Sequence, residues 1–433
     1  MFSRMKQIDR RLMALLLFTF FLRSCVTLIR WDNLTVDRDA YLAIAENLVA
    51  GNGFCSVAGH PTAFRPPLYP LLLAGCLAMG GTIVLAAVHI VMGTATVALT
   101  WLLTRRTGLS ENAGLLAGLL TAIDPLLLEH GTQPMTETLF TFLSTALLCA
   151  MTSPAGASLQ RPVLSGVLLG LAGLCRPSIW AFALLWLAVA MTFGAVQRFG
   201  RRTQAGNAHP SWRSLVVVLG TAVLVVSPWV FRNWQVFGRP IVMTTHGGYT
   251  LALGNNERFY SDVVVGPEQV WSGENLARWQ REAEAALAAD GINPRDEVAH
   301  DAGMSRLAVD WIRKHPRRFL KASWLRVTRF WSVAPRQTES SISEILSSVV
   351  AIWYSAVLLL AVVGAIRHRR CWEAFRPGLL LVASLTVLHA VYWSNMRMRC
   401  PLVPVLSLLA VASVSKPDVR QPAAPDSAAE DVR

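Results

Sequence analysis

The sequence predicts an all-α integral membrane protein, and three observations support this fold class. Of the 433 residues, 53% are hydrophobic and 15% are charged, with a mean hydropathy of +0.42. Soluble domains carry roughly 45–50% apolar and about 25% charged residues. The apolar residues fall in long runs, and Lys and Arg lie in short segments between the runs. This pattern excludes an ordinary cytosolic enzyme, a disordered chain and a disulfide scaffold.

About 20 apolar residues cross a bilayer core, whereas a run of about 10–14 lies in the interface or re-enters it. This rule predicts about ten transmembrane helices. The short run 67–80, which opens with Pro66 and Pro67, is predicted to be interfacial or half-inserted. The predicted spans are 12–30, 82–103, 113–129, 135–152, 162–175, 178–196, 214–231, 347–366, 376–393 and 400–415.

The net charge of +13 is best explained by membrane orientation. No recognition helix, zinc finger or RNA-binding signature accompanies the charge, so no nucleic-acid partner is expected. Basic residues concentrate in the short loops of one face, which predicts that both termini are cytoplasmic. The segments 31–66 and 232–346 are then on the outer face.

This topology divides the chain into four parts. They are a transmembrane module with a catalytic first outer loop (1–231), a long outer loop region (232–346), C-terminal transmembrane helices (347–415) and a disordered tail (416–433). Within the long loop, the basic, Trp-rich stretch HPRRFLKASWLRVTRFW is typical of a helix at the membrane interface.

The first outer loop holds the densest cluster of candidate site residues, in WDNLTVDRDAYLAIAENLVAGNGF followed by HPTAFRPPLYP. Asp37 and Asp39 follow shortly after the first span, so both lie near the outer membrane surface. A carboxylate at that level can act as a general base toward a hydroxyl or amine, or bind a cation. Asp is also favoured at helix starts and can cap the predicted helix YLAIAENL. Two aspartates allow both roles to be filled.

A second group of ionisable residues lies between the third and fourth predicted spans, in TAIDPLLLEHGTQPMTETLF. Asp124, Glu129, His130 and Glu137 all fall at or near the outer rim. Ionisable groups that face lipid are costly, so such residues tend to face a cavity or each other. Glu137 is equally compatible with an acid at a helix start. His130 by itself is more typical of a loop than of a metal site.

Arginines near the outer ends of the spans form the third group. They are Arg23, Arg65, Arg176, Arg232, Arg397 and Arg399. A guanidinium pairs bidentately with phosphate oxygens and keeps its charge, so this set suits a polyprenyl-phosphate headgroup. Each arginine alone could instead extend to interfacial water and lipid phosphates. Together, the acids and arginines predict an outward-facing cavity that takes a lipid-linked phosphosugar and an acceptor.

Six segments in order carry a resemblance to a known family: DRDAYLAIAENLVAGNGF, TAFRPPLYPLLLA, PMTETLF, LCRPS, PWVFRNWQVFGRPIVMTTHGGYTLALGNN and NMRMRCPLVP. Over about residues 12–415 the chain resembles the GT-C membrane glycosyltransferases of the protein O-mannosyltransferase and lipid-A aminoarabinose transferase type, including the bacterial glycosyltransferase family 39-like group. The resemblance implies a GT-C bundle with interfacial helices in the first outer loop and a long outer loop of mixed structure.

The resemblance also implies catalytic residues. Asp37 falls on the family's first-loop acid and Tyr41 on the aromatic residue that follows it. Arg38 stands where the family often has Glu, which makes Asp39 a rival for the catalytic role. Glu137 matches the acid that opens the fourth span.

Arginines are implied to bind the phosphate of the donor. Arg65 matches the basic residue before the proline-rich interfacial helix, and Arg397 and Arg399 match the late Arg-x-Arg-x-Pro segment. The residues expected to line the substrate cavity are Tyr41, His60, Tyr69 and His130. A divalent cation is a possible cofactor of this family, but the sequence offers no ligand set that predicts a metal site.

The implied reaction is an inverting transfer from a polyprenyl-phosphate sugar to a glycan, lipid or protein acceptor at the outer face of the bacterial inner membrane. Asp37 or Asp39 would deprotonate the acceptor, and arginines would stabilise the leaving phosphate. A transporter or flippase of a lipid-linked saccharide is the alternative. Transporters usually show internal repeats and acids near the bilayer midplane, whereas these acids lie at the rim.

Overall fold

Helices make up nearly all of the regular structure of this chain. The computed structural model describes residues 10–152, 159–199, 212–266, 271, 273–335, 344–369 and 372–415. Its α-helices are α1 (Arg10–Ile29), α2 (Tyr41–Val49), α3 (Leu68–Arg106), α4 (Glu111–Ala122), α5 (Pro125–His130), α6 (Glu137–Met151), α7 (Gln160–Cys175), α8 (Ile179–Phe199), α9 (Trp212–Phe237), α10 (Gly247–Gly254), α11 (Gly273–Ala289), α12 (Glu297–Lys314), α13 (Pro316–Phe330), α14 (Glu344–Arg367), α15 (Trp372–Val391) and α16 (Val403–Ala412). The predicted tail 416–433 lies outside the described residues.

Among the described residues, five helices are long and apolar enough to cross a membrane: α1, α3, α9, α14 and α15. Three shorter apolar helices, α6, α7 and the Ile179–Thr192 part of α8, accompany them. The chain is therefore a mostly helical membrane protein. The count of ten spans stays a prediction.

Glycines interrupt the third helix and follow its end. At Gly80 and Gly81 the backbone of α3 leaves helical geometry, and Gly81 has a φ of +66°, a region that favours glycine. The break separates the predicted interfacial run 67–80 from the span that follows it. The helix ends at Arg106, two residues before Gly108, whose φ of +83° is typical of a helix C-terminus.

The predicted span 113–129 is wrong as a continuous helix. The chain forms α4, breaks at Ile123 and Asp124, and starts α5 at Pro125. The Asp124 carboxylate accepts the Leu127 backbone N–H at 3.1 Å, and Pro125 occupies a first-turn position that needs no N–H. The predicted span 400–415 is likewise shorter, because a 3-10 helix at Met396–Leu402 precedes α16.

The two predicted outer loops have structure of their own. The first contains a 3-10 helix (Trp31–Thr35), α2 and a hairpin of β1 (Cys55–Val57) and β2 (His60–Pro61). The second contains α10, a π-helical segment (Phe259–Val265), α11, α12 and α13. Helices predicted at YLAIAENL and in the basic, Trp-rich stretch are confirmed as α2 and α13.

The largest hydrophobic core of the described residues includes side chains of α2, α3, α4, α6, α7, α8, α9, α14, α15 and α16. α16 is buried along its whole length, and α7 runs against α9. Small residues allow the close contact between α7 and α9, because Gly166 and Gly170 of α7 lie directly against the backbone and side chains of α9. Close helix approach through glycines four residues apart is a common form of packing between membrane helices.

Candidate active site

Three arginines and two carboxylates form a connected ion network. Arg65 Nη2 lies 3.3 Å from Asp39 Oδ1, and Arg397 Nη1 lies 3.5 Å from Asp39 Oδ2. Arg397 Nε and Arg176 Nη1 each lie 3.3 Å from Glu137 Oε1. Arg397 therefore bridges the two carboxylates, and the network carries one net positive charge.

The network residues come from distant parts of the chain. Asp39 precedes α2, and Arg65 lies just before α3. Glu137 is the first residue of α6, Arg176 follows the last residue of α7, and Arg397 belongs to the 3-10 helix before α16. Because helix ends leave polar backbone groups unpaired, these positions gather polar and charged side chains at one level of the bundle.

Asp37 and Asp39 have different partners. Asp37 Oδ2 accepts the backbone N–H of Ala43 at 2.9 Å, so this side chain caps the first turn of α2. Asp39 faces the arginines, and its backbone carbonyl accepts a hydrogen bond from Arg65 Nε at 2.8 Å. Between Asp39 and α2, Ala40 has a φ of +61° and is the only non-glycine residue with positive φ among the described residues. This turn directs the two carboxylates differently.

The network is only partly open to solvent. The Glu137 side chain is 2% exposed, whereas that of Asp39 is 27% exposed and is the most accessible member. Burial by itself would lower the pKa of Arg397, but the carboxylates of Glu137 and Asp39 outweigh that effect and raise it. Arg397 is therefore charged at neutral pH.

Two of the arginines also direct N–H groups at sulfur. Arg397 Nη1 donates to the thioether of Met135 at 3.2 Å, and Arg176 Nη2 donates to that of Met398. A thioether is a weak acceptor, so these N–H groups retain much of their capacity to bind an anion.

Two tyrosines expected in the substrate cavity pack beneath the network. The Arg65 guanidinium lies 5.2 Å from the centre of the Tyr41 ring, which meets Tyr69 edge-on at 5.3 Å. Burial raises the pKa of Tyr41 to about 12. Tyr69 Oη lies 3.1 Å from His89 Nε2, and His89 Nδ1 lies 3.0 Å from the carbonyl oxygen of Gly131. Because a carbonyl only accepts, His89 carries its proton on Nδ1 and Nε2 accepts from Tyr69.

The other predicted site residues lie in three different settings. His130 ends α5 near Glu137 and Arg397, and burial lowers its pKa to about 4. His60 is exposed in the hairpin. Arg399 is fully buried, donates to the carbonyls of Phe330 and Ser332, and makes no contact with the ion network.

Two residues at this site are absent from the predicted set. Arg176 is grouped with the arginines that suit a phosphate headgroup, but it is not among the three arginines predicted to bind the donor phosphate. His246 packs 4.1 Å from Phe64, beside Arg65, and stacks on Tyr249. Burial, and then the Arg65 charge, lower the pKa of His246 to about 3.

The geometry suits binding of an anion beside a carboxylate. Guanidinium groups match phosphate oxygens, and a partly exposed carboxylate between them can accept a proton. Within the described part of the chain, no three His, Cys, Asp or Glu side chains come close enough to hold a metal ion.

Two solved structures of Archaeoglobus fulgidus oligosaccharyltransferase are similar to this chain over nearly its whole length. AglB in complex with an inhibitory peptide and a dolichol-phosphate has 16% identity and a TM-score of 0.52, covering 92% of this chain and 50% of that one. An oligosaccharyltransferase tethered with an acceptor peptide has 14% identity and a TM-score of 0.53, covering 93% and 49%. The present chain thus spans about half the length of these oligosaccharyltransferase chains.

ArnT from Cupriavidus metallidurans bound to undecaprenyl phosphate has 13% identity, covering 92% of this chain and 77% of that one. Its TM-score of 0.43 is too low to indicate a common fold. No family model and no curated protein matches the chain. The likeness to the oligosaccharyltransferase, with the helices described above, shows that this membrane protein has the GT-C fold that its sequence segments implied.

Proposed function

We propose that this protein is a glycosyltransferase that moves a sugar from a polyprenyl-phosphate carrier to an acceptor. The observation that carries the proposal is the Asp39 carboxylate held between Arg65 and Arg397. It brings a proton acceptor and a phosphate-binding pair together at the ends of membrane-type helices. The shared fold adds support, since AglB has been solved with a dolichol-phosphate.

The arginines are proposed to bind the donor phosphate. The N–H groups of Arg176 and Arg397 that now meet Met398 and Met135 would exchange weak sulfur acceptors for phosphate oxygens. Arg65 would bind the same anion from the side of the first loop. As the bond between the sugar and the phosphate breaks, the guanidinium groups would stabilise the growing negative charge.

Asp39 is proposed as the general base. A phosphate that binds Arg65 and Arg397 competes with the Asp39 carboxylate for them and leaves its oxygens free to accept a proton. The acceptor hydroxyl would lose its proton to Asp39 and attack the anomeric carbon, while polyprenyl phosphate leaves from the opposite side with the bonding electrons. This in-line displacement inverts the configuration at that carbon.

The proposal is tested by transfer from labelled polyprenyl-phosphate sugars in membranes that contain wild type, Asp39→Asn or Asp37→Asn. We expect Asp39→Asn to lower the transfer rate roughly 100- to 10,000-fold, which is the usual contribution of a general base. Asp37→Asn is the matched control, because Asn caps a helix about as well as Asp and should leave the rate near wild type. Equal thermal unfolding of the three proteins shows that the network variant is folded.

Other outcomes would change the proposal. Loss of transfer in Asp37→Asn alone would move the base to Asp37. Consumption of no donor by wild type would favour a transporter of lipid-linked saccharides instead. Repeating the assay with a chelator tests whether a divalent cation takes part, since an inactive enzyme that Mg²⁺ or Mn²⁺ restores would add a metal to the mechanism.

The proposed site lies on the periplasmic face of the inner membrane. Basic residues concentrate in the short loops on the face opposite to 232–346, which favours a cytoplasmic location for those loops. The segment 232–346 would then lie in the periplasm. Reporter fusions within 232–346 should be active only outside the cytoplasm. A cytoplasmic signal would reverse the orientation and place the site where a periplasmic acceptor cannot reach it.

A further inference from the structure

Helix α13 exposes a face that is both apolar and basic. Leu320 and Trp324, one turn apart, are 66% and 71% exposed. Arg317 and Lys321 are exposed on the same side. The opposite side is buried in the protein, where the fully buried Arg326 anchors it. An exposed Trp and Leu beside two cations suit a partner that offers both apolar and anionic groups.

Contacts of the buried face fix the level of α13 in the molecule. Arg326 Nε donates to the carbonyl of Ala390 at 2.8 Å, in the last turn of α15, which is long and apolar enough to span a membrane. At the other end of the contact surface, Arg399 donates to the carbonyl of Phe330, the last residue of α13, at 3.2 Å. α13 therefore lies where α15 ends, at the boundary between the membrane and water.

The charge of this region has one sign. The stretch 313–330 contains no acidic residue, and RKHPRRFLK at its start carries five cations. Within the described residues, Arg318 pairs with Glu257 at 2.7 Å, and Lys321 lies 5.8 Å from the centre of the Tyr260 ring. No ion pair with a described acid involves Arg317 or Lys321. These two side chains are available to bind anions outside the protein.

We propose that the exposed face of α13 binds the anionic phospholipid surface of the membrane that α15 crosses. Leu320 and Trp324 insert among the lipids just below the headgroups, where Trp side chains are favoured. Arg317 and Lys321 bind lipid phosphates at the surface. The helix is thus a lateral anchor that holds the folded loop 232–346 against the bilayer.

The test uses the full-length chain with an environment-sensitive NBD fluorophore on Leu320→Cys, in neutral detergent micelles titrated with phosphatidylglycerol. Wild type labelled in parallel supplies the background from native cysteines. Arg281→Cys, at an exposed position of α11, is the matched control. We expect the label at 320 to shift to the blue and become shielded from aqueous iodide as lipid is added, while the label at 281 stays accessible.

The charge contribution is measured by adding Arg317→Gln and Lys321→Gln to the labelled protein. Removing each cation should raise the phosphatidylglycerol concentration at half-maximal shift roughly fivefold. The control pair, Arg278→Gln with Arg281→Gln, removes the same charge from α11. It should leave the phosphatidylglycerol concentration at half-maximal shift unchanged. The proposal is overturned if the label at 320 stays accessible in lipid.

Discussion

The carboxylates of Asp37 and Asp39 lie two residues apart and have no partner in common. The Asp37 carboxylate accepts a backbone N–H of α2, whereas the Asp39 carboxylate forms ion pairs with two arginines. The left-handed turn at Ala40 separates them, at a cost of about 1–2 kcal/mol for a residue that has a side chain. Such local strain concentrates at functional sites, which supports Asp39 as the proposed base.

His246 makes the stability of the loop region depend on pH. Its pKa is about 3 in the folded protein, because of burial and then the Arg65 charge, and about 6.5 in an unfolded chain. Between these values the unfolded chain binds more protons, so stability falls as the pH drops below 6.5. Between pH 7 and pH 5 the wild-type protein should lose about 2 kcal/mol more of its free energy of unfolding than His246→Phe does. The Phe ring can keep the packing on Phe64 and Tyr249.

The measurement is the midpoint of unfolding of both proteins in detergent at pH 7 and pH 5. At pH 7 the two midpoints should be close, because neutral His246 and Phe fill similar space. A wild-type midpoint that falls no further than that of His246→Phe would show that His246 takes up a proton freely in the folded state.

Contact between α7 and α9 depends on glycines. A Cβ atom at Gly170 would lie 2.7 Å from Val225 Cβ and 3.0 Å from the carbonyl oxygen of Ala222. Gly170→Ala should therefore destabilise the protein by about 1–3 kcal/mol, since overpacking forces the helices apart. The thermal midpoint in detergent measures the change.

Gly220, on α9 itself, supplies the control. No atom lies within 4 Å of a Cβ placed there, so Gly220→Ala should leave the midpoint unchanged or raise it. Equal effects of Ala at Gly170 and Gly220 would mean that helix propensity, and not the packing of α7 against α9, decides stability here.

Hydropathy predicted most helices but not where apolar runs break. The break within 113–129 is indicated by Asp124-Pro125, because Asp followed by Pro is a helix-start signal. A count of apolar residues does not detect this signal. By contrast, the separation of 67–80 from the following span could be predicted, because the short run fits an interfacial helix and Gly80-Gly81 permits the bend.

The site could be predicted only in part, for a similar reason. Residue chemistry and the family resemblance placed Asp39, Arg65, Glu137 and Arg397 in a wider set of candidates, and the structure brings these four together. Arg399, two residues from Arg397, has the same chemistry but faces the interior, because a 3-10 helix sends the two side chains in different directions. Sequence spacing alone could not separate these two arginines.

At the scale of the whole molecule, the loop region 232–346 supports the first loop. Glu297, the first residue of α12, accepts hydrogen bonds from Thr62 Oγ1 at 3.0 Å and from the Ala63 backbone N–H at 3.1 Å. It also accepts a hydrogen bond from Thr245 Oγ1. Arg65 follows Ala63 by two residues, so Glu297 holds the segment that leads into a network arginine.

We expect Glu297→Ala to free the Ala63 segment and to destabilise the protein by about 2–3 kcal/mol, because several buried donors lose a charged acceptor. Glu297→Gln should lose less, since its amide oxygen can still accept the Ala63 N–H and the threonine hydroxyls can rotate. Hydrogen exchange of the Ala63 amide and the rate of sugar transfer should change in the same order in the two variants. An exposed Ala63 amide with full transfer activity would show that the first loop holds Arg65 unaided, and the loop region would then have no part in assembling the site.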